Sequence, residues 1–434
     1  MTRRTPLATI GAVAFATALL ALALPGALQT RRAAREAALE AQVRSGDIGF
    51  LETRVAADSD NWLLASHLAD LYAARFREEA DPGDIARAEQ LVRRTLPLRP
   101  DPVGGRVRLS SLLLAQHRFR EAFDAARTAL GSRAPGQDAL AVFIDAARAL
   151  GEDAAADSAM ARLTPGTFAY AIRAAGARAP EDAVPQLERA CARLEETGAS
   201  RDLRAWCLAR VASLELGRGR IESGRAWLER AVRMHPEQRG ALEEAANLAY
   251  AEGRWDEASR LYRRILSEAH PDLYLRLAEV ERRLGRREDA TSLERRFLMA
   301  TSDPSLEPLF GLELALYHAR SDRCDRALPL AAAELTRRHS VQALEGAAWV
   351  RYQCGDHAGA RLLHERAGAR ASATGAYLRG LLLGDRDPEA ARLIADAVSN
   401  PARLAHYALL HLANGGERTA TGSLPQANNR KGAP

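Results

Sequence analysis

The 434-residue sequence is short of lysine and of aromatic residues. Aromatic side chains make up 5% of the chain, and Lys431 is its single lysine, so almost all of the basic charge is arginine. The arginines alternate with glutamate and aspartate at helical spacing and do not gather in a basic stripe between aromatic residues, which argues against nucleic-acid binding. The net charge of +5 therefore indicates solvated helix faces carrying ion pairs one helical turn apart.

The sequence also lacks the motifs of common catalytic sites. It contains no G-x-S-x-G, no glycine-rich phosphate loop ending in Lys-Ser or Lys-Thr, and no H-E-x-x-H. The closest histidine pairs, His406 with His411 and His357 with His364, are five and seven residues apart, whereas two metal ligands on one helix face stand three or four apart. We therefore expect no catalytic residue, no metal and no cofactor.

An uncharged apolar run near the N-terminus is the most distinctive local feature. It covers residues 7–28, follows Arg3 and Arg4, precedes three further arginines, and is expected to break at Pro25 and the glycine after it. It is either a signal peptide cleaved near Ala23 or an uncleaved anchor, because the run is about long enough to span a bilayer. Both alternatives predict an exported, periplasmic protein, in the second case anchored to the inner membrane by residues 7–28.

The clearest repeat unit runs from Leu242 to Pro271. Its first helix is expected to end at Gly253, because glycine accepts the left-handed conformation of a tight helical turn. A second helix is expected from Trp255, with Ala258 where the two antiparallel helices approach most closely. The unit therefore predicts a helical hairpin.

Small residues recur along the chain at the position of Ala258. They are Ala88, Ala122, Ala156, Gly224, Ala290, Ala327, Ala360 and Ala390. The steps from Ala88 to Ala122, from Ala122 to Ala156 and from Gly224 to Ala258 are each 34 residues. A fixed period of this length is typical of a stack of repeated helical hairpins.

This pattern resembles the tetratricopeptide repeat over roughly residues 60–400. The matching residues include Leu68, Ala69, Tyr72, Ala88 and Pro100 in one unit, and Val211, Ala212, Gly219, Gly224, Leu228, Ala231 and Pro236 in another. The resemblance implies an all-α, right-handed superhelical solenoid of about nine or ten antiparallel helix pairs, preceded by an N-terminal apolar helix. It also implies a concave groove that binds partner proteins.

The resulting division of the chain has five parts. We expect residues 1–29 to be a signal peptide or membrane anchor helix, residues 30–57 a linker helix, residues 58–401 the repeat array, residues 402–416 a C-terminal capping helix and residues 417–434 a disordered tail.

The four cysteines have no Cys-x-x-Cys spacing, so zinc is not expected. The midpoint of Cys191 and Cys207 is residue 199, that of Cys324 and Cys354 is residue 339, and both fall in loops between predicted hairpins. Residues equidistant from the loop of an antiparallel pair lie at the same height, so we hypothesise two disulfides formed after export. The alternative is four buried thiols, because equal height does not make the Cβ atoms face each other.

Three residues are candidates for partner binding. Some tetratricopeptide domains clamp the C-terminal carboxylate of a partner with lysine and asparagine, but here only Asn247 stands at a matching place and the lysines are absent. Arg210 and Arg276, on predicted first-helix faces, are candidates to contact acidic segments of a partner.

Two functions follow from these features. The first is a non-catalytic protein–protein interaction scaffold in the bacterial cell envelope. The second is an accessory or recruiting subunit of an envelope enzyme, a secretion complex or a polysaccharide-export complex. In both cases the partners are proteins of unknown identity, with no nucleic acid and with the membrane contacted through the N-terminal segment if it stays uncleaved.

Overall fold

A computed structural model describes residues 7–79, 81–99, 102–132, 135–176, 183–267, 270–303, 307–368, 372–384, 386–408 and 411; for residues 7–30, 175–176 and 307–308 it describes the backbone alone. No strand occurs among these residues. The helices are α1 Leu7–Ala57, α2 Trp62–Glu79, α3 Pro82–Thr95, α4 Val103–Ala115, α5 Phe119–Leu130, α6 Gln137–Leu150, α7 Asp153–Met160, α8 Phe168–Gly176, α9 Ala183–Glu196, α10 Arg201–Gly217, α11 Ile221–Met234, α12 Arg239–Ala251, α13 Trp255–Ile265, α14 Asp272–Arg283, α15 Arg287–Ala300, α16 Glu307–Arg320, α17 Cys324–Arg337, α18 Val341–Gln353, α19 His357–Ala367, α20 Ala373–Leu383 and α21 Pro388–Ser399.

From α2 to α21 the described helices form ten antiparallel hairpins, each made of two consecutive helices. The hairpin of α12 and α13 shows why the chain reverses: Gly253 has a φ of 74°, and the N–H of Arg254 donates to the carbonyl of Ala249 at 2.8 Å. Ala258 is fully buried where α13 crosses α12. The turn glycine and the small residue predicted from the sequence therefore have the expected structural roles.

Successive hairpins pack on one another through their first helices. Contacts join α4 to α6, α10 to α12, α16 to α18 and α18 to α20, so that the first helices line the concave side and the second helices the convex side. Each hairpin covers apolar surface of its neighbour, as a helical solenoid requires. The predicted all-α, right-handed superhelical solenoid of antiparallel helix pairs is confirmed.

The superhelix closes on itself between distant hairpins. The N–H of His339, in the loop between α17 and α18, donates to the carbonyl of Ala149 at 2.9 Å, and His339 Nδ1 lies 3.3 Å from the carbonyl of Leu150. Gly151 follows with a φ of 76°, and a Cβ there would lie 2.9 Å from His339 Cβ. This contact between the loop and the end of α6, which we call the seam, brings residues of the third and ninth hairpins together and encloses the concave face.

The first helix differs from the sequence expectation. α1 is a single helix from Leu7 to Ala57 that continues through Pro25, so the predicted break is wrong. An interior proline removes one hydrogen bond and crowds the carbonyl four residues earlier, but the surrounding alanine and leucine residues favour helix strongly enough for α1 to continue. The last turns of α1 pack against α2 through Ile48 and Leu51 and belong to the core of the array.

The middle of α1 also reaches the fifth hairpin. The Arg201 guanidinium at the start of α10 forms ion pairs with Glu36 and with Glu40, the latter at 3.3 Å. Where side chains are described, no helix has both the length and the apolar character of a membrane span. The predicted anchor or signal segment, residues 7–28, and the predicted tail, residues 417–434, lie outside those residues.

Candidate protein-binding groove

Two disulfides fasten neighbouring hairpins together. Cys191 of α9 is bonded to Cys207 of α10 with a Cα–Cα distance of 5.7 Å, and Cys324 of α17 is bonded to Cys354, just after α18, at 5.6 Å. These are the two pairs inferred from the loop midpoints. Each bond crosses from the second helix of one hairpin to the first helix of the next, so it fixes a junction between repeats.

The enclosed concave face contains a large cavity of about 2120 Å³. Its walls come from α12, α14, α16 and α18 on one side and from the turn between α6 and α7 on the other, where Arg148, Asp153 and Asp157 contribute. The volume of this cavity is larger than that of a pocket for one small ligand and is suited to a segment of polypeptide. The groove is therefore the main candidate site in the described part of the chain.

Two of the three predicted partner-binding residues meet in this cavity. Arg276 of α14 donates to Asn247 Oδ1 at 3.2 Å and forms an ion pair with Glu243 at 3.0 Å. Tyr262 O–H donates to the same Asn247 oxygen at 2.6 Å. The structure thus joins Asn247 and Arg276 in one network that holds both side chains in place. Arg210 of α10 is partly buried and is not among the residues lining the described cavity.

An acidic residue of the groove had no signal in the sequence. Burial in the cavity wall, followed by the charge of Asp272, raises the pKa of Glu313 to about 7. Glu313 Oε2 is buried and has no hydrogen-bond partner among the described residues. On sequence alone Glu313 is one of many glutamates at helical spacing, because nothing local tells a carboxylate facing a distant helix from one facing solvent.

The C-terminal segment lies in the groove and does more than cap the last hairpin. After α21 a 3-10 turn, Pro401–Arg403, turns the chain inward, and this turn contacts α10, α12 and α21. Arg403 Nε donates to the carbonyl of Gly217 at 2.9 Å, and Ala405 N–H donates to Thr374 Oγ1 at 2.7 Å. Of the predicted cap over residues 402–416 the structure describes residues 402–408 and 411, and there the segment contacts α10 and α12 as well as the last hairpin. Residues 409–410 and 412–416 lie outside the described part.

An aromatic cluster of the first helices receives this segment. The Tyr407 ring lies 5.5 Å from that of Trp349 in α18, and the His411 ring lies 5.3 Å from Trp349. The O–H of Tyr377 in α20 is 3.1 Å from His411 Nδ1. His406 packs against the ring of Tyr250 in α12, with 5.2 Å between centroids. The segment is held by aromatic contacts from three separate first helices.

The histidines of the segment make its docking sensitive to acid. Burial, reinforced by the positive charges of Arg276 in α14 and Arg320 in α16, keeps the pKa of His406 well below its usual range, and burial also lowers the pKa of His411. At these two histidines the released segment therefore binds more protons than the docked one, so their contribution to docking is complete above the ordinary histidine pKa of about 6.5 and is lost as the pH falls below it. Burial also raises the pKa of Glu313 and of Glu345 in the same cavity, and the part of that burial that the segment provides works in the opposite direction.

Lowering the pH from about 7.5 to about 5 is accordingly expected to release the segment before the array unfolds. Hydrogen exchange of residues 401–408, corrected for the intrinsic pH dependence, measures the release, and the helical circular dichroism measures the array. His406→Phe keeps a ring of similar shape without a titrating nitrogen and is expected to shift the release to lower pH. Equal protection of the segment at both pH values would contradict this assignment.

Comparison with known proteins gives no close relative. No protein-family model matches the sequence, and no curated protein matches it. Among solved structures the chain is similar to PilW, a type IV pilus biogenesis factor, with 15% identity and a TM-score of 0.37 over 49% of this chain and 100% of PilW. It is also similar to yeast Tom70, with 13% identity and a TM-score of 0.32 over 89% of this chain and 95% of Tom70.

A third similar structure is the human IFIT1 dimer with PPP-AAAA, with 14% identity and a TM-score of 0.37 over 75% of this chain and 67% of that one. Likenesses at these scores carry no functional information. The geometry of this chain, antiparallel hairpins stacked at steps near 34 residues with small residues at the helix crossings and glycine in several of the turns, is itself that of a tetratricopeptide-type helical-repeat protein.

Proposed function

We propose that this protein is a non-catalytic protein–protein interaction scaffold of the bacterial cell envelope. Its concave groove would bind a segment of a partner protein, and residues 7–28 would carry the array across the inner membrane and either remain as its anchor or be removed. The observation that carries the proposal is the groove, because it already accommodates a polypeptide segment: the chain's own residues 401–408 and 411.

The residues that line the groove favour a protein partner. Its walls combine carboxylates, guanidinium groups and aromatic rings, including Glu243, Arg276 and Tyr317, without a concentration of one charge. Such a mixture suits a peptide with both apolar anchors and polar flanks.

The location in the envelope rests on two features of the chain. Residues 7–28 have the length and the uncharged character of an export segment. Both cysteine pairs lie at bonding distance, and structural disulfides persist in oxidising compartments such as the periplasm.

Photo-crosslinking in intact cells tests this proposal. A photoreactive amino acid at Gln342, an exposed residue that lines the cavity, is expected to give a discrete adduct with another envelope protein. The matched control is Glu222 on the convex helix α11, whose side chain is 88% exposed, and it should give no such adduct. Removing residues 1–29 is expected to abolish both export and the adduct. An adduct that persists without export, or that forms equally at both positions, would contradict the proposal.

A further inference from the structure

Four side chains of the C-terminal segment face the first helices of the array. Leu404 and Ala408 are buried, and Tyr407 and His411 make the aromatic contacts described above. Leu404 has an extended backbone, with a φ of −87° and a ψ of 145°, and a helical turn begins after it at residue 406. The segment therefore binds its own solenoid as a short partner peptide would, through spaced apolar and aromatic anchors.

We infer that the face formed by α12, α18 and α20 is a peptide-binding site, and that residues 401–408 and 411 occupy it as an intramolecular ligand. This inference rests on the proposed function and deepens it, because it assigns the groove a specific surface and a specific kind of ligand. A competing partner would present a short peptide with a large apolar residue, an aromatic residue three positions later, and a small residue beside the aromatic one.

One buried polar atom on each side of this contact lacks a hydrogen-bond partner in the described part of the chain. Trp349 Nε1 and His406 Nε2 are both buried, and neither has a hydrogen-bond partner among the described residues. Buried polar atoms of a permanent core are nearly always paired. A ligand that offered an acceptor to the indole N–H would bind this face better than the chain's own segment does, so a suitable partner can displace it.

The segment is part of the same polypeptide chain as its site, and this connection explains how a segment of weak intrinsic affinity keeps the site occupied. A ligand tethered by a short linker has an effective concentration in the millimolar range, so it occupies its site even when its intrinsic affinity is weak. Only Asn400 separates the segment, which begins with the 3-10 turn Pro401–Arg403, from α21. A free peptide of the same sequence must therefore compete with this tethered copy.

The test uses the full chain with its own segment disabled. Leu404→Asp with Tyr407→Asp puts two carboxylates against the apolar surface and undocks the segment, while the helices of the site keep their sequence. A labelled synthetic peptide of residues 398–414 is then titrated into the variant and into the unchanged chain, and binding is followed by fluorescence anisotropy. The peptide is expected to bind the variant at least tenfold more tightly than the unchanged chain.

Two controls distinguish specific docking of the peptide from non-specific binding. Val398→Asp changes an exposed residue just outside the segment and should leave peptide binding as weak as in the unchanged chain. A peptide carrying the same two aspartates should not bind the double variant. Equal binding of both peptides, or no binding of the native peptide to a folded double variant, would overturn the inference.

Hydrogen exchange on the unchanged chain keeps the inference testable if the double variant does not fold. The amides of residues 402–408 are expected to exchange at least tenfold faster than the buried amides of α18, because the segment leaves its site without unfolding the array. Protection equal to that of α18 would show that the segment is a permanent part of the core. Such a result would remove the peptide-binding site and would leave the crosslinking test at Gln342 unaffected.

Discussion

Replacing Trp349 by alanine is expected to lower the free energy of unfolding by about 3–5 kcal/mol, among the largest losses for a single side chain of this protein. The indole is fully buried. Its ring lies 6.0 Å from that of Tyr377 and 5.5 Å from that of Tyr407, so alanine would leave a cavity bordered by both the array and the C-terminal segment. Urea unfolding followed by circular dichroism measures the change.

Two other substitutions calibrate this result. Trp349→Phe keeps an aromatic ring and should lower the free energy of unfolding by less than half as much as Trp349→Ala does. Trp227→Ala removes a partly buried indole that packs at the edge of the core and lies under the Arg230 guanidinium at 4.1 Å, and it should lower the free energy of unfolding by less than Trp349→Ala because less of its surface is buried. Equal losses for Trp349→Ala and Trp227→Ala would show that the aromatic cluster is not a centre of stability.

Removing the disulfides is expected to have the second large effect. The bonds close stretches of 16 and 30 residues. Loop-closure entropy then assigns about 3 kcal/mol to Cys191–Cys207 and about 3.5 kcal/mol to Cys324–Cys354. Replacing Cys324 and Cys354 by serine together should therefore destabilise the protein slightly more than the same change at Cys191 and Cys207.

The oxidation state has to be measured on the same samples. Non-reducing mass spectrometry of the exported protein is expected to find the tryptic peptides of each pair joined and no alkylated cysteine. Adding a reductant should lower the stability of the unchanged chain to that of a variant with all four cysteines replaced, and should leave that variant unaffected. Free thiols at all four positions would remove both disulfides and the stability assigned to them.

The parts of the fold that depend on neighbouring repeats could be predicted from the sequence. Gly253 marks a chain reversal and Ala258 a close helix crossing because each has a local physical cause that repeats with the period. The cysteine pairs could be inferred for the same reason, since symmetry about a loop is a property of two adjacent helices.

Features that join distant repeats had no local signal. The contact of His339 with Ala149 spans 190 residues, and its formation depends on small rotations summed over six hairpins. The fold-back of residues 401–408 depends on the same accumulated twist, so the sequence predicts a cap on the last hairpin and gives no sign of the contacts with α10 and α12. The environment of Glu313 could not be predicted for the same reason.

The seam at His339 changes the mechanics of the array. An open stack of hairpins behaves as a spring whose ends move apart when a ligand widens its turns. Here the seam joins the third and ninth hairpins, so the diameter of this superhelical turn is fixed. A partner segment would then enter along the superhelix axis or break the seam contacts, and the rate of either step would set how quickly the protein binds and releases its partner.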